Sequence, residues 1–257
     1  ITTGSDGVAS SKELYLGKYE IQEITAPHGM VLNGTIQTVE LTYAGQEVAI
    51  TETAGNLYNE RQNVKVSLSK VLEQNELFGI GMNGELKNIT FGLYAKTDLV
   101  AGDGTIIPAG GLIEIVTFDE NGLAAVSTDL PLGSYYLQER STDEHYILDD
   151  THYEFEFSYG SQETQVVEIA VNGGAPIKND LKYGMVSGRK IDEDGHVIAG
   201  AIFGLFRNDE NEYTAENAYL TAESAQDGTF KFEKVPFGTW VVREIQPAKG
   251  FVLNEKA

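Results

Sequence analysis

The residues that most clearly suggest chemistry are a Lys, a Glu and an Asn that recur in otherwise apolar, strand-like runs. Lys70 ends the alternating run 66–70, and Glu139 ends the alternating run 135–139. In a strand, residues two apart point to the same face, so both charged side chains are expected beside core-facing neighbours. A lone buried charge is costly, and burial therefore favours the neutral amine of a Lys and the protonated carboxyl of a Glu.

A neutral amine and a protonated carboxyl beside an amide form a reactive set. The amine is a nucleophile, and the carboxyl can donate a hydrogen bond to the amide oxygen and polarise its carbon. With Lys70 as nucleophile, Glu139 as catalyst and Asn179 as the amide, the product is a Lys–Asn isopeptide bond, and ammonia is released. The competing interpretation is ordinary: charged strand residues usually lie on a solvated face, and an Asn near a strand end usually belongs to a turn.

Repetition of these residues along the chain favours the reactive interpretation. A Glu stands six residues after a Gly in three places, which are Gly17 with Glu23, Gly133 with Glu139, and Gly238 with Glu244. A turn glycine precedes each pair, at Gly7, Gly122 and Gly228. An Asn is followed eleven residues later by a Lys in two places, which are Asn59 with Lys70 and Asn179 with Lys190. A Phe-Gly-Leu-aromatic sequence follows each Lys, at 91–94 and 203–206.

This order of residues predicts tandem modules. Residues 1–62 contain a Glu and an Asn and have the features of the C-terminal part of a module. Residues 63–182 contain all three residue types and look complete, whereas residues 183–257 contain a Lys and a Glu and look like an N-terminal part. Because the chain opens abruptly at Ile1, we expect it to be a piece of a longer protein. The junctions are short and not rich in Gly or Ser, which predicts closely spaced modules.

Composition and turn signals predict an all-β protein. Short alternating runs are separated by Asp-Gly and Asn-Gly pairs, which are typical of strands and hairpins. These pairs lie at 103–104, 121–122, 194–195 and 227–228. The chain has no Cys, which excludes disulfides and thiolate metal sites. Its net charge of −21 argues against binding to nucleic acid or to an anionic membrane.

The stretch 19–30 closely resembles the signature of a known family. Its sequence is Tyr-Glu-Ile-Gln-Glu-Ile-Thr-Ala-Pro-His-Gly-Met. It is similar to the E-box, Tyr-x-Leu-x-Glu-Thr-x-Ala-Pro-x-Gly-Tyr, of the Cna-B (collagen-adhesin B-type) modules of Gram-positive surface adhesins and pilins. The stretch 240–251 keeps the Glu, the Pro, the Gly and a final aromatic residue, whereas the copy around Glu139 keeps the Tyr, the Leu and the Glu but has no Pro or Gly.

The resemblance implies tandem Ig-like, transthyretin-like β-sandwich (Cna-B) modules with an intramolecular Lys–Asn isopeptide bond. In that family the Lys lies on the first strand, the Asn on the last, and the catalytic Glu on a strand between them. The complete set in this chain would be Lys70, Glu139 and Asn179. The remaining residues would be unpaired equivalents, which lack one partner. Glu23 and Asn59 would be a catalyst and an acceptor without a Lys, and Lys190 and Glu244 would be a nucleophile and a catalyst without an Asn.

The function that the resemblance implies is structural. The chain would be a stalk or backbone fragment of a cell-surface adhesin or pilin, located outside the cell at the cell wall, with neighbouring modules as partners. Its only chemistry would be one self-directed turnover, so we do not predict an enzyme, a cofactor or a metal. Two alternatives stay open: a module that binds host extracellular matrix protein or glycan through loops 96–111 or 207–224, and an accessory β-sandwich of a secreted hydrolase. The sequence does not distinguish a polymerised pilin from a monomeric adhesin.

Weaker signals are interpreted as structural. The run 79–84 has the form G-x-G-x-x-G, but no helix is predicted after it, as a dinucleotide site requires. The run 192–195 is expected to be a hairpin turn because the later ligands of a calcium loop are missing. The four His residues are scattered without metal-binding spacing. Trp240 is predicted to lie in a core or at a junction between modules.

Overall fold

The computed structural model describes residues 1–254 of the chain. It contains seventeen β-strands in this range, and the helical elements described are two short 3₁₀ turns, Glu85–Asn88 and Val171–Gly174. The prediction of an all-β protein is confirmed. The strands fall into three sets along the chain, called below the first group (β1 and β2), the middle group (β3 to β12) and the last group (β13 to β17).

The first group is one antiparallel pair, formed by β1 (Gly17–Ile21) and β2 (Gln37–Leu41). Alternate residues of both strands are half-buried. Glu23 lies two residues beyond β1, and Asn59 lies after β2, outside any strand of residues 1–254. Both candidate residues of this group are therefore held by loops, not by a sheet.

The middle group is a β-sandwich. One antiparallel sheet has the order β10 (Tyr153–Phe157), β9 (Gly133–Ser141), β4 (Thr90–Ala95) and β7 (Leu112–Thr117). The facing sheet is built on β3 (Asn63–Leu72). One edge of β3 pairs in parallel with β11 (Val166–Ala170) and β12 (Ile177–Asn179), and the other pairs with β8 (Leu123–Ala125). A small hairpin of β5 (Leu99–Val100) and β6 (Ile106–Ile107) lies apart from these sheets.

The core of the middle group lies between its two sheets. Along β3 the buried positions alternate with more exposed ones, and the buried row contains Val66, Leu68, Lys70 and Leu72. This row meets the inward faces of β4 and β9 in one apolar cluster. Burial of one large apolar side chain stabilises a fold by about 1.5–3 kcal/mol. The same period of two that gives β3 its apolar face therefore carries Lys70 into the core.

The last group resembles the middle group in strand order. β13 (Tyr183–Arg189) pairs with β16 (Thr229–Pro236), and a second sheet has the order β15 (Leu220–Glu223), β14 (Ile202–Arg207) and β17 (Trp240–Gln246). A separate cluster of Leu205, Phe230, Phe232 and Val235 forms its core. Among residues 1–254, β13 pairs with β16 on one edge, whereas β3 has strands along both edges.

Two of the four predicted hairpin turns connect segments that pair. The turn at 103–104 joins β5 to β6, and the turn at 194–195 lies inside the bridge between Ile191 and Val197. The other two predictions of hairpins were wrong. The turn at 121–122 joins β7 to β8, and the turn at 227–228 joins β15 to β16, but the strands of each pair belong to opposite sheets. The glycine of each turn bonds to the backbone of a Lys, and the chain crosses between the sheets there.

The Phe-Gly-Leu-aromatic sequences occupy β4 and β14. A Cβ atom at Gly92 would collide with the ring of Tyr94, and one at Gly204 would collide with the ring of Phe206. The glycine therefore lets the aromatic ring fold back over its own strand. This close approach explains why both copies have Gly at the second position.

Aromatic side chains connect the middle group to the last group. The ring centroid of Phe78 lies 5.2 Å from that of Trp240 and 6.1 Å from that of Tyr219. The guanidinium of Arg207 lies 5.5 Å from the Phe78 ring. Phe78 directly precedes the run 79–84, so that run belongs to a loop at the junction between the groups. The expectation that Trp240 lies at such a junction agrees with these contacts.

Candidate functional site

Lys70, Glu139 and Asn179 meet in the interior of the middle group. Their residues are 4%, 3% and 1% exposed, respectively. Nζ of Lys70 lies 3.1 Å from Oε1 of Glu139, and Nδ2 of Asn179 donates a hydrogen bond to Oε2 at 2.9 Å. Glu139 thus bridges the amine and the amide, with one carboxylate oxygen toward each.

Strand pairing determines this meeting. β12 runs parallel to β3, with Ile177 opposite Lys70 and Asn179 opposite Leu72. Because residues two apart share a face, Lys70 and Asn179 project from adjacent strands toward the same side. β9 of the facing sheet supplies Glu139 from the opposite side of the core.

Two acceptors orient the amide of Asn179. Its Nδ2 also donates to the carbonyl oxygen of Ile147 at 2.5 Å. A carbonyl only accepts hydrogen bonds, so the nitrogen side of the amide must face it. The prediction that Glu139 would approach the amide oxygen therefore differs from the observed geometry, in which Glu139 contacts the amide nitrogen. A carboxyl group in this position is within proton-transfer distance of the amide nitrogen, not of the amide oxygen.

The environment of Lys70 favours the neutral amine. Burial lowers the pKa of Lys70, and the charges of Glu139 and Asp149 oppose this effect only in part. The ring of Phe91 lies 5.3 Å from Nζ. Three buried polar atoms of the site make no aligned hydrogen bond within residues 1–254. They are Nζ of Lys70, Oε1 of Glu139 and Oδ1 of Asn179. Buried polar groups without aligned hydrogen bonds are costly, so conversion of the ion pair to a neutral amide would relieve unfavourable burial.

A main-chain contact fixes each of the three predicted Glu residues. Oε2 of each Glu accepts the backbone N–H of the residue ten positions later. The pairs are Glu23 with Asn33 at 2.8 Å, Glu139 with Asp149 at 2.7 Å, and Glu244 with Asn254 at 2.9 Å. The repeated Glu is therefore oriented in the same way in all three groups.

The loop after the Glu also holds the segment after the Asn. In the middle group, the N–H of Ile147 donates to the oxygen of Asp180, and the N–H of Lys182 donates to the oxygen of His145. In the first group, the N–H of Val31 donates to Glu60, and that of Gln62 donates to Gly29. Counted from the Glu and the Asn, these positions are equivalent. The loop around Glu139 thus reaches the E-box geometry without its Pro and Gly.

The unpaired equivalents reproduce parts of the complete set. Nδ2 of Asn59 donates to Oε2 of Glu23 at 2.6 Å and to the oxygen of Val31 at 2.9 Å, as Asn179 does to its two partners. Nζ of Lys190 donates to Oε2 of Glu244 at 3.0 Å. Glu23 therefore contacts the Asn of the first group, and Glu244 contacts the Lys of the last group.

The sequence analysis did not predict that Phe91 belongs to the site. Phe91 lies opposite Glu139 in the pairing of β4 with β9, directly after a bulge, and its ring covers the Lys70 amine. Phe203 lies opposite Glu244, also directly after a bulge. The recurrence of Phe-Gly-Leu-aromatic was the available signal, because the first residue of that sequence faces the Glu in both groups.

Of the two loops considered for ligand binding, 207–224 contains aromatic side chains, and they pack against the protein. Tyr213 packs against Phe206 with ring centroids 5.0 Å apart, and Tyr219 packs against Trp240 at the same separation. Within the described part of the chain, no group of three or more His, Cys, Asp or Glu side chains is placed to hold a metal ion. Among residues 1–254, no helix is long and apolar enough to cross a membrane.

Comparison with known families identifies the fold. A family model described as "SpaA: Prealbumin-like fold domain" matches residues 1–54, 80–172 and 184–257. The chain belongs to this family. This membership is consistent with the resemblance to Cna-B-type modules. No curated protein sequence matches the chain.

Several solved structures are similar to this SpaA-type chain. "The Bacillus anthracis TIE protein" has a TM-score of 0.65 and 21% identity, over 99% of this chain and 40% of that protein. "The Streptococcal ancillary pilin" has a TM-score of 0.31 and 22% identity, over 94% of this chain and 70% of that protein. A C-terminal fragment of "pilus adhesin SpaC from Lactobacillus rhamnosus GG" has a TM-score of 0.37 and 17% identity, over 74% of this chain and 79% of that fragment. The chain thus spans two fifths of the first of these proteins, and likeness at this identity shows the fold alone.

Proposed function

We propose that this chain is a structural stalk or backbone fragment of a Gram-positive cell-surface adhesin or pilin, stabilised by a self-catalysed bond between Lys70 and Asn179. Its modules would be residues 1–62, 63–182 and 183–257. Membership of the SpaA prealbumin-like fold family supports this role. The observation that carries the proposal is the buried contact of Glu139 with both reacting groups, at 3.1 and 2.9 Å.

The proposed reaction needs no external reagent. Lys70 transfers a proton to Glu139, and the neutral Nζ attacks Cγ of Asn179. As the new C–N bond forms, the bond from Cγ to Nδ2 breaks. Glu139 gives its proton to the departing nitrogen and accepts the proton that Nζ loses on becoming an amide nitrogen. Ammonia takes this second proton and leaves as ammonium, so the carboxylate of Glu139 is regenerated. The site turns over once and is not an enzyme.

The bond would join the first and last strands of the middle group. By analogy with disulfides, closing a loop of about 100 residues is worth up to about 4.7 kcal/mol. Tension arriving along β3 would pass through the bond to β12 and on to Tyr183, so the residues between would carry no load. This suits a stalk outside the cell at the cell wall, whose partners are its own neighbouring modules. Host extracellular matrix is a partner only of the binding alternative, and the inward packing of Tyr213 and Tyr219 offers that alternative no support.

Accurate intact mass of the denatured protein tests the proposal. We expect the mass to fall short of the sequence value by one ammonia. The deficit should disappear in Lys70→Ala and in Glu139→Gln, and peptide mapping should find the link between Lys70 and Asn179. Lys182→Ala is the matched control, because its amine donates to the carbonyl of Glu144 on an exposed surface, and it should keep the deficit.

Other outcomes have distinct meanings. A mass equal to the sequence value would contradict the isopeptide bond. A deficit of two ammonia molecules would mean that Asn59 or Lys190 also reacts, which the incomplete groups do not predict. A deficit that persists in Lys70→Ala would place the reaction elsewhere in the chain.

A further inference from the structure

Asp149 differs from its counterparts at a position that the three groups share. The residue ten positions after each Glu donates its N–H to that Glu, and it is Asn33 in the first group and Asn254 in the last. In the middle group, which contains all three reactive residue types, it is Asp149. The backbone contact is thus common to all groups, and the carboxylate is particular to the complete site.

The carboxylate of Asp149 is firmly held. Oδ1 accepts the N–H of Thr151 at 3.0 Å, and Oδ2 accepts the hydroxyl of Tyr153 at 2.5 Å. Burial acts to raise the pKa of Asp149, but the hydrogen bonds from Thr151 and Tyr153 outweigh it and hold that pKa below its ordinary value. Asp149 is therefore a fixed negative charge at neutral pH.

The side chains around the Lys70 amine come from four strands and one loop. β9 supplies Glu139, β10 supplies Tyr153, and the loop between them supplies Asp149. β4 and β12 supply Phe91 and Asn179, which carry no charge. Burial and the hydrogen bond to Asp149 raise the pKa of Tyr153, so the phenol stays neutral. The charges that face Lys70 are therefore those of Glu139 and Asp149, and both appear among the causes that act on the pKa of Lys70.

We propose that Asp149 is a positioning residue of the isopeptide site: its N–H holds Glu139 between the two reacting groups, and its carboxylate, anchored by Tyr153, adds a negative charge that moves the pH range in which Lys70 reacts upward. This inference rests on the proposed function. A nearby negative charge favours the protonated amine. Removing it leaves Lys70 neutral at lower pH, and the rate profile moves in the acid direction.

The rate of bond formation measures this effect. Unreacted protein is recovered from inclusion bodies in concentrated guanidinium and diluted into refolding buffers between about pH 5 and pH 9. Intact mass then follows the loss of ammonia over time. Asp149→Asn keeps the backbone N–H and introduces the residue that the other two groups use, so the loop is expected to fold. Asp150→Asn is the matched control, because it removes an exposed charge from the next residue.

We expect Asp149→Asn to react about three- to tenfold faster than the wild type at pH 6, with its profile displaced by about half to one pH unit. Asp150→Asn should follow the wild-type profile. Tyr153→Phe keeps the charge but loses the anchor, so its rate should fall while the midpoint of its profile stays in place. A purely structural role for position 149 would slow Asp149→Asn without moving its midpoint, and that result overturns the inference. If the wild type loses no ammonia at any pH, the proposed function fails, and the inference fails with it.

Discussion

The carbonyl oxygen of Gly122 accepts the backbone N–H of Lys70 at 2.7 Å, and that of Gly228 accepts the N–H of Lys190 at 2.8 Å. Both glycines have a positive φ, and a Cβ on either would press against the carbonyl oxygen of its Lys. A glycine that the sequence marks only as a turn residue therefore supports the strand that carries the Lys in both groups.

Replacing Gly122 with Ala should disturb the Lys70 strand. We expect Gly104→Ala, the matched control, to cost about 1–2 kcal/mol, because Gly104 has a similar φ with open space around it. Gly122→Ala should cost about 1–3 kcal/mol more, since its methyl group displaces the backbone of β3. Calorimetric midpoints compare the two variants, and intact mass reports a lower crosslinked fraction in Gly122→Ala. Equal midpoints would contradict a supporting role for this glycine.

Much of the site could be predicted because strand periodicity and repetition act over short distances. The period of two placed Lys70 and Glu139 on buried faces, and the repeated spacing selected Asn179 as their partner. The crossing at Gly122 could not be predicted, because a local turn signal does not specify which sheet the next strand joins. The orientation of the Asn179 amide depends on the carbonyl of Ile147, which reaches it through a loop fixed by tertiary contacts.

Two buried phenols should limit stability in alkali. Burial raises the pKa of Tyr135 and of Tyr146 to about 12. The folded pKa lies above the ordinary value of 10.0, so the contribution of these groups to stability is complete below pH 10. It is lost as the pH rises through about 12, because the unfolded chain ionises first. Phenolate absorbance should therefore show late-titrating groups whose ionisation coincides with loss of β-sheet circular dichroism.

Tyr146→Phe should remove one late-titrating phenol. It also removes the hydrogen bond from the hydroxyl to the oxygen of Glu73, at a cost of about 1 kcal/mol at neutral pH. If all thirteen Tyr residues ionise in one step near pH 10 while the sheet signal persists, the interpretation of these phenols as buried is wrong.

The junction between the middle and last groups should depend on Phe78. The chain has a single Trp, so the fluorescence of Trp240 reports on this junction alone. Phe78→Ala removes the ring that lies 5.2 Å from Trp240, and we expect red-shifted emission and stronger quenching by acrylamide. Met82→Ala, an exposed residue of the same loop, is the control and should leave the emission unchanged. Unchanged emission in Phe78→Ala would show that the groups are not held together by this contact.

Asn179→Ala should reveal the buried amine as a pH-dependent defect. The variant cannot form the bond, and we expect it to lose up to about 4.7 kcal/mol of loop-closure stabilisation. Lys70 then remains a titratable amine, and burial lowers its pKa in the folded state below the ordinary 10.5. At a pH between the lowered pKa of Lys70 in the folded state and its ordinary pKa of 10.5 in the unfolded state, the unfolded chain binds more protons than the folded chain. The free energy of unfolding therefore rises as the pH increases toward 10.5.

Urea unfolding between about pH 7 and pH 9.5, below the range in which the phenols ionise, separates this effect from theirs. The urea midpoint of Asn179→Ala should rise with pH relative to that of the wild type, in which the proposed bond would leave Lys70 without a titratable amine. Asn59→Ala removes the same residue type from the first group, where Glu23 contacts no Lys amine among residues 1–254, and it should show no relative rise. A parallel pH dependence in all three proteins would mean that Lys70 does not titrate as a buried amine. The desolvation that makes it a nucleophile would then be absent.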